Sequence, residues 1–92
     1  MLKLELSSQF KKDLKKVKRQ RKDKEKLSVV VSILQNEQPL PTKYHDHELI
    51  GNWKSYRECR IAPDWLLIYR VLNGNVRLLR LARTGAHSEL FK

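Results

Sequence analysis

The segment Trp65-Leu66-Leu67-Ile68-Tyr69-Arg70-Val71 is apolar at both odd and even positions, with Arg70 the one interruption. A strand apolar on both faces needs cover above and below and a strand on each side, so the fold must be built around this segment. Asn73-Gly74 follows it and gives the strongest hairpin signal in the chain, because a type I′ turn needs positive φ at both central residues. Val76 to Ala82 then returns as the partner strand. Upstream, Lys54 to Ile61 reads as a polar strand, which gives part of one sheet face to something other than core, and Ala62-Pro63 makes the turn into the central strand. A two-residue loop at Asn73-Gly74 sets Tyr69 opposite Leu78, Trp65 opposite Ala82 and Asp64 opposite Arg83; a longer loop shifts this register. His87 lies four residues beyond Arg83. A carboxylate, an arginine and an imidazole are therefore expected to meet at the open end of the hairpin.

The amino-terminal half reads differently. Leu2, Leu4 and Leu6 alternate with Lys3 and Glu5 as in a strand with one buried face. Ser7 or Ser8 is an N-cap for a helix whose narrow apolar stripe is Phe10, Leu14 and Val17, ending near Arg21. Asp23 caps a second helix with a wider stripe of Leu27, Val30, Val31 and Leu34, extended by Val29 and Ile33. The β-branched run Val29-Val30-Val31 also suits a strand, but the helical period decides it. Pro39-Leu40-Pro41 opens a loop through Tyr44-His45-Asp46-His47, Gly51-Asn52 punctuates before Trp53, and the end from Thr84 to Phe91 is a short irregular or helical tail. With 92 residues the chain is expected to be one α+β domain, 1–92: a strand and two helices packed on an antiparallel sheet. Its one cysteine, Cys59, excludes an internal disulfide and is most simply a half-buried strand residue. No apolar run approaches the ~18 residues of a membrane span, and the alternating amino terminus is unlike a signal peptide, so a cytoplasmic location without membrane attachment is expected.

The net charge of +10 speaks of partners rather than fold. Residues 1–26 carry 11 Lys/Arg against 4 Asp/Glu, with Lys11, Lys12, Lys15, Lys16 and Lys18 all on the first helix. A solvated face looks much the same. Between Lys54 and Arg83, however, six of the seven basic residues are arginine, against two acids, Glu58 and Asp64. Arginine's planar fork suits close contact with phosphate. Nucleic acid, or an acidic protein, is the implied partner.

Cleaving RNA without a metal requires a base for the 2′-hydroxyl, an acid for the departing 5′-oxygen and a cation where charge builds on phosphorus. His47, His87, Asp64, Glu58, Arg60 and Arg83 are residues of the required types. Three histidines in 92 residues is ordinary content, so the types alone do not establish the activity. His45-x-His47 lacks a third and fourth ligand and reads as a solvated pair rather than a metal site. Trp53 and Trp65 suit either core or a base-stacking platform; Phe91 suits either a tail anchor or a stacking surface.

Taken together, Trp53-Lys54-x-Tyr56-Arg57-Glu58-Cys59, Pro63-Asp64-Trp65-Leu66-Leu67-Ile68-Tyr69 and Leu81-x-Arg83-Thr84-Gly85-x-His87-Ser88-x-Leu90-Phe91, with Asp46-His47-x-Leu49 and Gly51 upstream, resemble the YafQ branch of the RelE toxin superfamily over essentially the whole chain. The resemblance implies a bacterial type II toxin with a microbial-ribonuclease-like fold. It would cut mRNA on the translating ribosome, without metal or other cofactor, and be neutralised by a ribbon-helix-helix antitoxin of the DinJ/RelB kind, which alone would contact operator DNA. By position, it implies acid/base roles for His47, Asp64 and His87 and phosphate stabilisation by Arg83. Glu58, Arg60, Trp65 and Phe91 would contact the substrate. The helix lysines and Lys54 read as a docking surface for ribosomal RNA. Relatives commonly carry a histidine where this chain has Arg60, and arginine is a poor proton carrier at neutral pH. That departure favours the alternative of a non-catalytic basic RNA- or DNA-binding module. A third reading is an interaction domain whose basic face holds an acidic partner.

Overall fold

The computed structural model describes residues 1–91. Strand β1 (Lys3–Leu6) leads into helix α1 (Ser8–Arg19), where the Ser7 hydroxyl accepts the Phe10 N–H at 2.9 Å. Asp23 caps helix α2 (Lys24–Gln35) by accepting the Glu25 N–H at 3.0 Å. Each cap satisfies a backbone donor that has no partner inside the first helical turn. Strand β2 (His47–Glu48) is short and follows a single 3₁₀ turn at Thr42–Tyr44, inside the stretch expected to be loop. Strands β3 (Arg57–Ala62), β4 (Trp65–Asn73) and β5 (Arg77–Gly85) follow, and the chain turns into a one-turn helix, α3 (His87–Leu90).

The sheet order is β1-β5-β4-β3-β2, with the doubly apolar β4 at its centre. The pairs from β2 to β5 are antiparallel, whereas β1 joins β5 in parallel and makes the sheet mixed. On one face Phe10, Val17, Leu27, Val30, Val31 and Leu34 of the helices pack on Cys59, Ile61, Trp65, Leu67, Tyr69, Leu79 and Leu81. On the other, Leu66, Ile68 and Ala82 form a smaller cluster with Leu90, edged by Leu49, Trp53, Tyr56 and Phe91. The incompletely covered face is the one that carries Glu58 and Arg60 of β3, paired with Ile68 and Leu66.

The hairpin register differs from the expected one. Asn73 stays in β4 paired with Arg77, and its side-chain oxygen accepts the Arg77 Nε–H at 2.8 Å, so the loop is the three residues Gly74, Asn75 and Val76. A bulge adds a second shift: Tyr69 faces Leu81 but Ile68 faces Arg83, leaving Ala82 as the extra residue. Arg83 is thereby moved away from Asp64 and set opposite Ile68.

Candidate active site

Where β1 ends, α1 takes over the edge of β5. The Ser7 N–H donates to the Leu81 carbonyl at 3.1 Å and the Ser7 hydroxyl to the Ala82 carbonyl at 2.7 Å. Asp13 continues this edge. Its Oδ2 accepts the Thr84 N–H at 3.1 Å and the Arg83 Nε–H at 2.8 Å, while Oδ1 accepts from Arg83 Nη2 and from Gln9 Nε2, both at 3.2 Å. Asp13 lies on the buried stripe of α1, one turn from Phe10 and one from Val17, and is itself buried. Arg83 is thus held by a two-point ion pair rather than by the expected contact with Asp64. A groove of about 460 Å³ runs beside it, lined by Lys12, Lys16, Arg83, Ser88 and Glu89 among others.

Asp64 instead meets the tail. It sits in the two-residue turn Pro63-Asp64 between Ala62 and Trp65 at φ +55, a conformation a short polar side chain tolerates. Its Oδ1 accepts the His87 N–H at 3.3 Å. The His87 ring is exposed and lies against Phe91, ring centres 5.0 Å apart. Glu89 fastens this tail by accepting the Ala86 N–H at 2.7 Å and pairing with Lys16 of α1. The Lys16 ammonium, followed by the Ala86 N–H, holds the Glu89 carboxyl below the usual carboxylate range.

His47 faces Glu58, its partner in the β2–β3 ladder, with Nε2 3.5 Å from Glu58 Oε1. Nδ1 lies 2.7 Å from the His45 carbonyl, which can only accept, so Nδ1 carries a hydrogen and orients the ring. The loop is anchored just before it. The Asp46 carboxylate accepts from Arg57 Nε and Nη2, both at 3.2 Å, and from the Tyr69 hydroxyl. The hydrogen bond to Asp46 raises the Arg57 pKa, while burial, followed by that same carboxylate, pushes Tyr69 well above a free phenol.

Register links these pieces. His47 pairs with Glu58, Glu58 with Ile68 and Ile68 with Arg83, one row across β2, β3, β4 and β5. At about 4.8 Å per strand its ends are roughly 14 Å apart. Arg60, Leu66 and Gly85 form the next row toward the turn that carries Asp64. The structure therefore unites His47 with Glu58, and Asp64 with His87 and Phe91, while Arg60 stands exposed between them. Trp65 corrects the reading of a substrate contact. Strand alternation turns it to the helix face, where it is 2% exposed and donates through Nε1 to the Thr84 hydroxyl at 2.9 Å. Lys11, Lys12, Lys15, Lys16 and Lys18 are exposed on α1. Lys54 is exposed on the loop between Trp53 and Tyr56, which pack on the opposite sheet face. Sequence reasoning missed Asp13, Asp46, Arg57, Tyr69 and Glu89. The signal for Asp13 was an acid on the buried stripe of a lysine-rich helix, whereas Asp46, Arg57 and Tyr69 stood inside the quoted motifs without an assigned role.

A sequence model of the family described as a bacterial toxin of type II toxin-antitoxin systems, YafQ, matches residues 2–92. The chain belongs to the YafQ toxin family. It is 44% identical over 89 residues to the mRNA interferase toxin YafQ of Escherichia coli K12, spanning 96% of this chain and 94% of that protein. The crystal structure of YafQ from E. coli BL21(DE3) matches with a TM-score of 0.91 at 41% identity, covering both chains fully. A crystal structure of the E. coli DinJ–YafQ toxin–antitoxin complex matches with a TM-score of 0.88 at 42% identity, over 99% of this chain and 98% of that one. The helices on a mixed five-stranded sheet are thus the YafQ architecture.

Proposed function

We propose that this chain is a type II toxin acting as a ribosome-dependent endoribonuclease on translated mRNA, by metal-free acid–base catalysis, and silenced by a cognate antitoxin. The activity named for the E. coli relative supports the reaction class, and the E. coli DinJ–YafQ complex supports an antitoxin of the DinJ type as partner. The observation that carries the reading is the tail geometry. Asp64 fixes the His87 backbone and Phe91 backs its ring, presenting an exposed imidazole one turn of chain beyond a two-point-held arginine.

His47 or Asp64 takes the 2′-proton, and the 2′-oxygen attacks phosphorus to form a cyclic phosphate. Arg83 stabilises the charge on the phosphorane oxygens. His87 donates a proton to the 5′-oxygen as the P–O bond breaks. Glu58 faces His47, so its carboxylate can steady that ring when it carries the proton. Arg60 and Phe91 contact the message, Arg60 as a phosphate ligand. The α1 lysines dock on ribosomal RNA, which puts the protein where ribosomes are, in the cytoplasm. Operator DNA is reached only through the antitoxin.

The test is to mix purified protein with ribosomes carrying a defined message, with naked message as control, and to map new RNA ends. Cuts restricted to the ribosome establish the reading; cuts on naked RNA as well remove the ribosome requirement. Binding without any cut overturns it in favour of a non-catalytic RNA-binding module, the reading that Arg60 favours.

A further inference from the structure

We infer that Asp13 is a positioning residue for RNA cleavage, holding Arg83 in the orientation that receives the scissile phosphate. This rests on the ribonuclease reading above. A carboxylate offers about four acceptor sites, and Asp13 fills four, with Arg83 Nε, Arg83 Nη2, the Thr84 N–H and Gln9 Nε2. It has no site left to take a proton from a 2′-hydroxyl, so it is not itself a base. What it controls is Arg83. Through the Thr84 N–H it fixes the backbone beside Arg83, and through two parallel contacts it fixes the plane of the guanidinium.

The pair is also unequal in exposure. The Asp13 side chain is 9% exposed and the Arg83 side chain 23%. Of the five N–H donors of a guanidinium, two are spent on Asp13. Those on Nη1 make no hydrogen bond among the described residues. One edge of the fork is anchored on Asp13, and Arg83 lines the groove together with Lys12 and Lys16. A purely structural ion pair has no need of the donors left free on Nη1. Rotamer freedom that a surface arginine would lose on meeting phosphate is already removed before substrate arrives.

The experiment is single-turnover cleavage on programmed ribosomes. With Asp13→Asn, the maximal rate falls on the order of tenfold to a hundredfold, while the ribosome concentration for half-saturation stays at the parent value. Asp13→Glu, which keeps the charge, recovers part of the rate. In an Arg83→Ala background the Asn change has no further effect, because there is no guanidinium left to position. The ¹⁵N-labelled Arg83 Nε–H, protected from solvent exchange in the parent, loses protection in Asp13→Asn. Thermal melting of each variant separates these effects from unfolding; if Asp13→Asn melts below assay temperature, the Glu variant carries the rate test, and a parental rate there overturns the proposal. Equal rates for parent and Asp13→Asn, or the same fold-loss with and without Arg83, likewise overturn it. A parent that binds ribosomes and cuts nothing removes the ribonuclease reading and this inference with it, whereas a parent that cuts alongside an equally active Asp13→Asn removes this inference alone.

Discussion

His87 is tied to the fold through its backbone, since its N–H, not its ring, contacts Asp64. The imidazole touches Phe91 and is otherwise exposed. Substituting it should therefore leave the fold intact and act on chemistry. His87→Ala is expected to melt within about 0.5 kcal/mol of the parent and to lose on the order of a hundredfold to ten-thousandfold in cleavage rate. Parental cleavage by this variant rules out the acid assignment. Cys59 is the opposite case, fully buried in β3 with its thiol pushed up to about 12, chiefly by burial. At neutral pH it is protonated in folded and unfolded chain alike. Above about pH 9 the unfolded thiol ionises and the folded one does not, so the folded state binds more protons and stability falls as pH rises toward 12. Tyr69, raised in the same direction, adds to the alkaline end of that loss. Melting curves from pH 7 to 11 should show it, with a shallower decline in Cys59→Ala; an unchanged slope in that variant would assign the alkaline loss elsewhere. Asp13 and Asp46 make a further point at this scale. The partners that fix their roles, Arg83 and Thr84 for Asp13 and Arg57 and Tyr69 for Asp46, lie on strands that only the fold brings to them.

Among the elements, the tail from Gly85 to Phe91 holds the proposed acid, His87, on the least structure. A one-turn helix has little stability of its own. Its position comes from Glu89, which bridges the Ala86 N–H and Lys16, and from Asp64. Gly85, the last residue of β5, has φ +153, and a Cβ there would stand 2.9 Å from Glu89 Oε1, which would have to move. Gly85→Ala is expected to displace Glu89 and lower cleavage at least tenfold, on the order of the cost of misplacing a catalytic group. Glu89→Gln keeps the shape but weakens the charge pairing, so it should fall between this variant and the parent. Proteolysis of the tail, followed by mass spectrometry, checks the cause: equal tail protection in all three proteins would refute it. Because the Glu89 pKa is lowered on folding, this latch stabilises above the ordinary carboxylate range and is lost as pH falls through the folded value. The hairpin shows what sequence leaves open at this scale. Asn73-Gly74 signalled a turn correctly, yet Asn73 itself stays in the strand by bonding Arg77, and the loop gains a residue.

The whole molecule separates two surfaces. One sheet face lies under the helices; the other bears the row from His47 to Arg83 and is edged by the tail. The lysines of α1 are exposed, and two of them, Lys12 and Lys16, rim the groove beside Arg83. Lys16 is spoken for by Glu89, so the docking proposal is best tested without it. Reversing Lys11, Lys12, Lys15 and Lys18 to Glu should weaken ribosome binding more than tenfold at low salt and flatten its salt dependence, leaving melting nearly unchanged. Unchanged affinity would remove α1 from the docking surface. Reversing Lys16 as well should additionally lower the maximal cleavage rate, because the tail is released.

The α+β class, the two helices with their caps, the central β4 and the residue types of the site were legible in the sequence, because they follow from local periodicity, turn chemistry and side-chain type. Motif resemblance added the family and its candidate residues. The partner of Arg83 was not legible. The meeting of Asp64 with His87 was expected, but a three-residue loop and one bulge together decide that Arg83 meets Asp13 and not Asp64. Neither feature has a local cost large enough to read from a few residues; both are settled by how the whole hairpin packs. The sequence by itself thus determined which groups are available and roughly where along the chain. Tertiary structure decided which of them touch, because register is a property of two strands and the helix beside them, not of either strand alone.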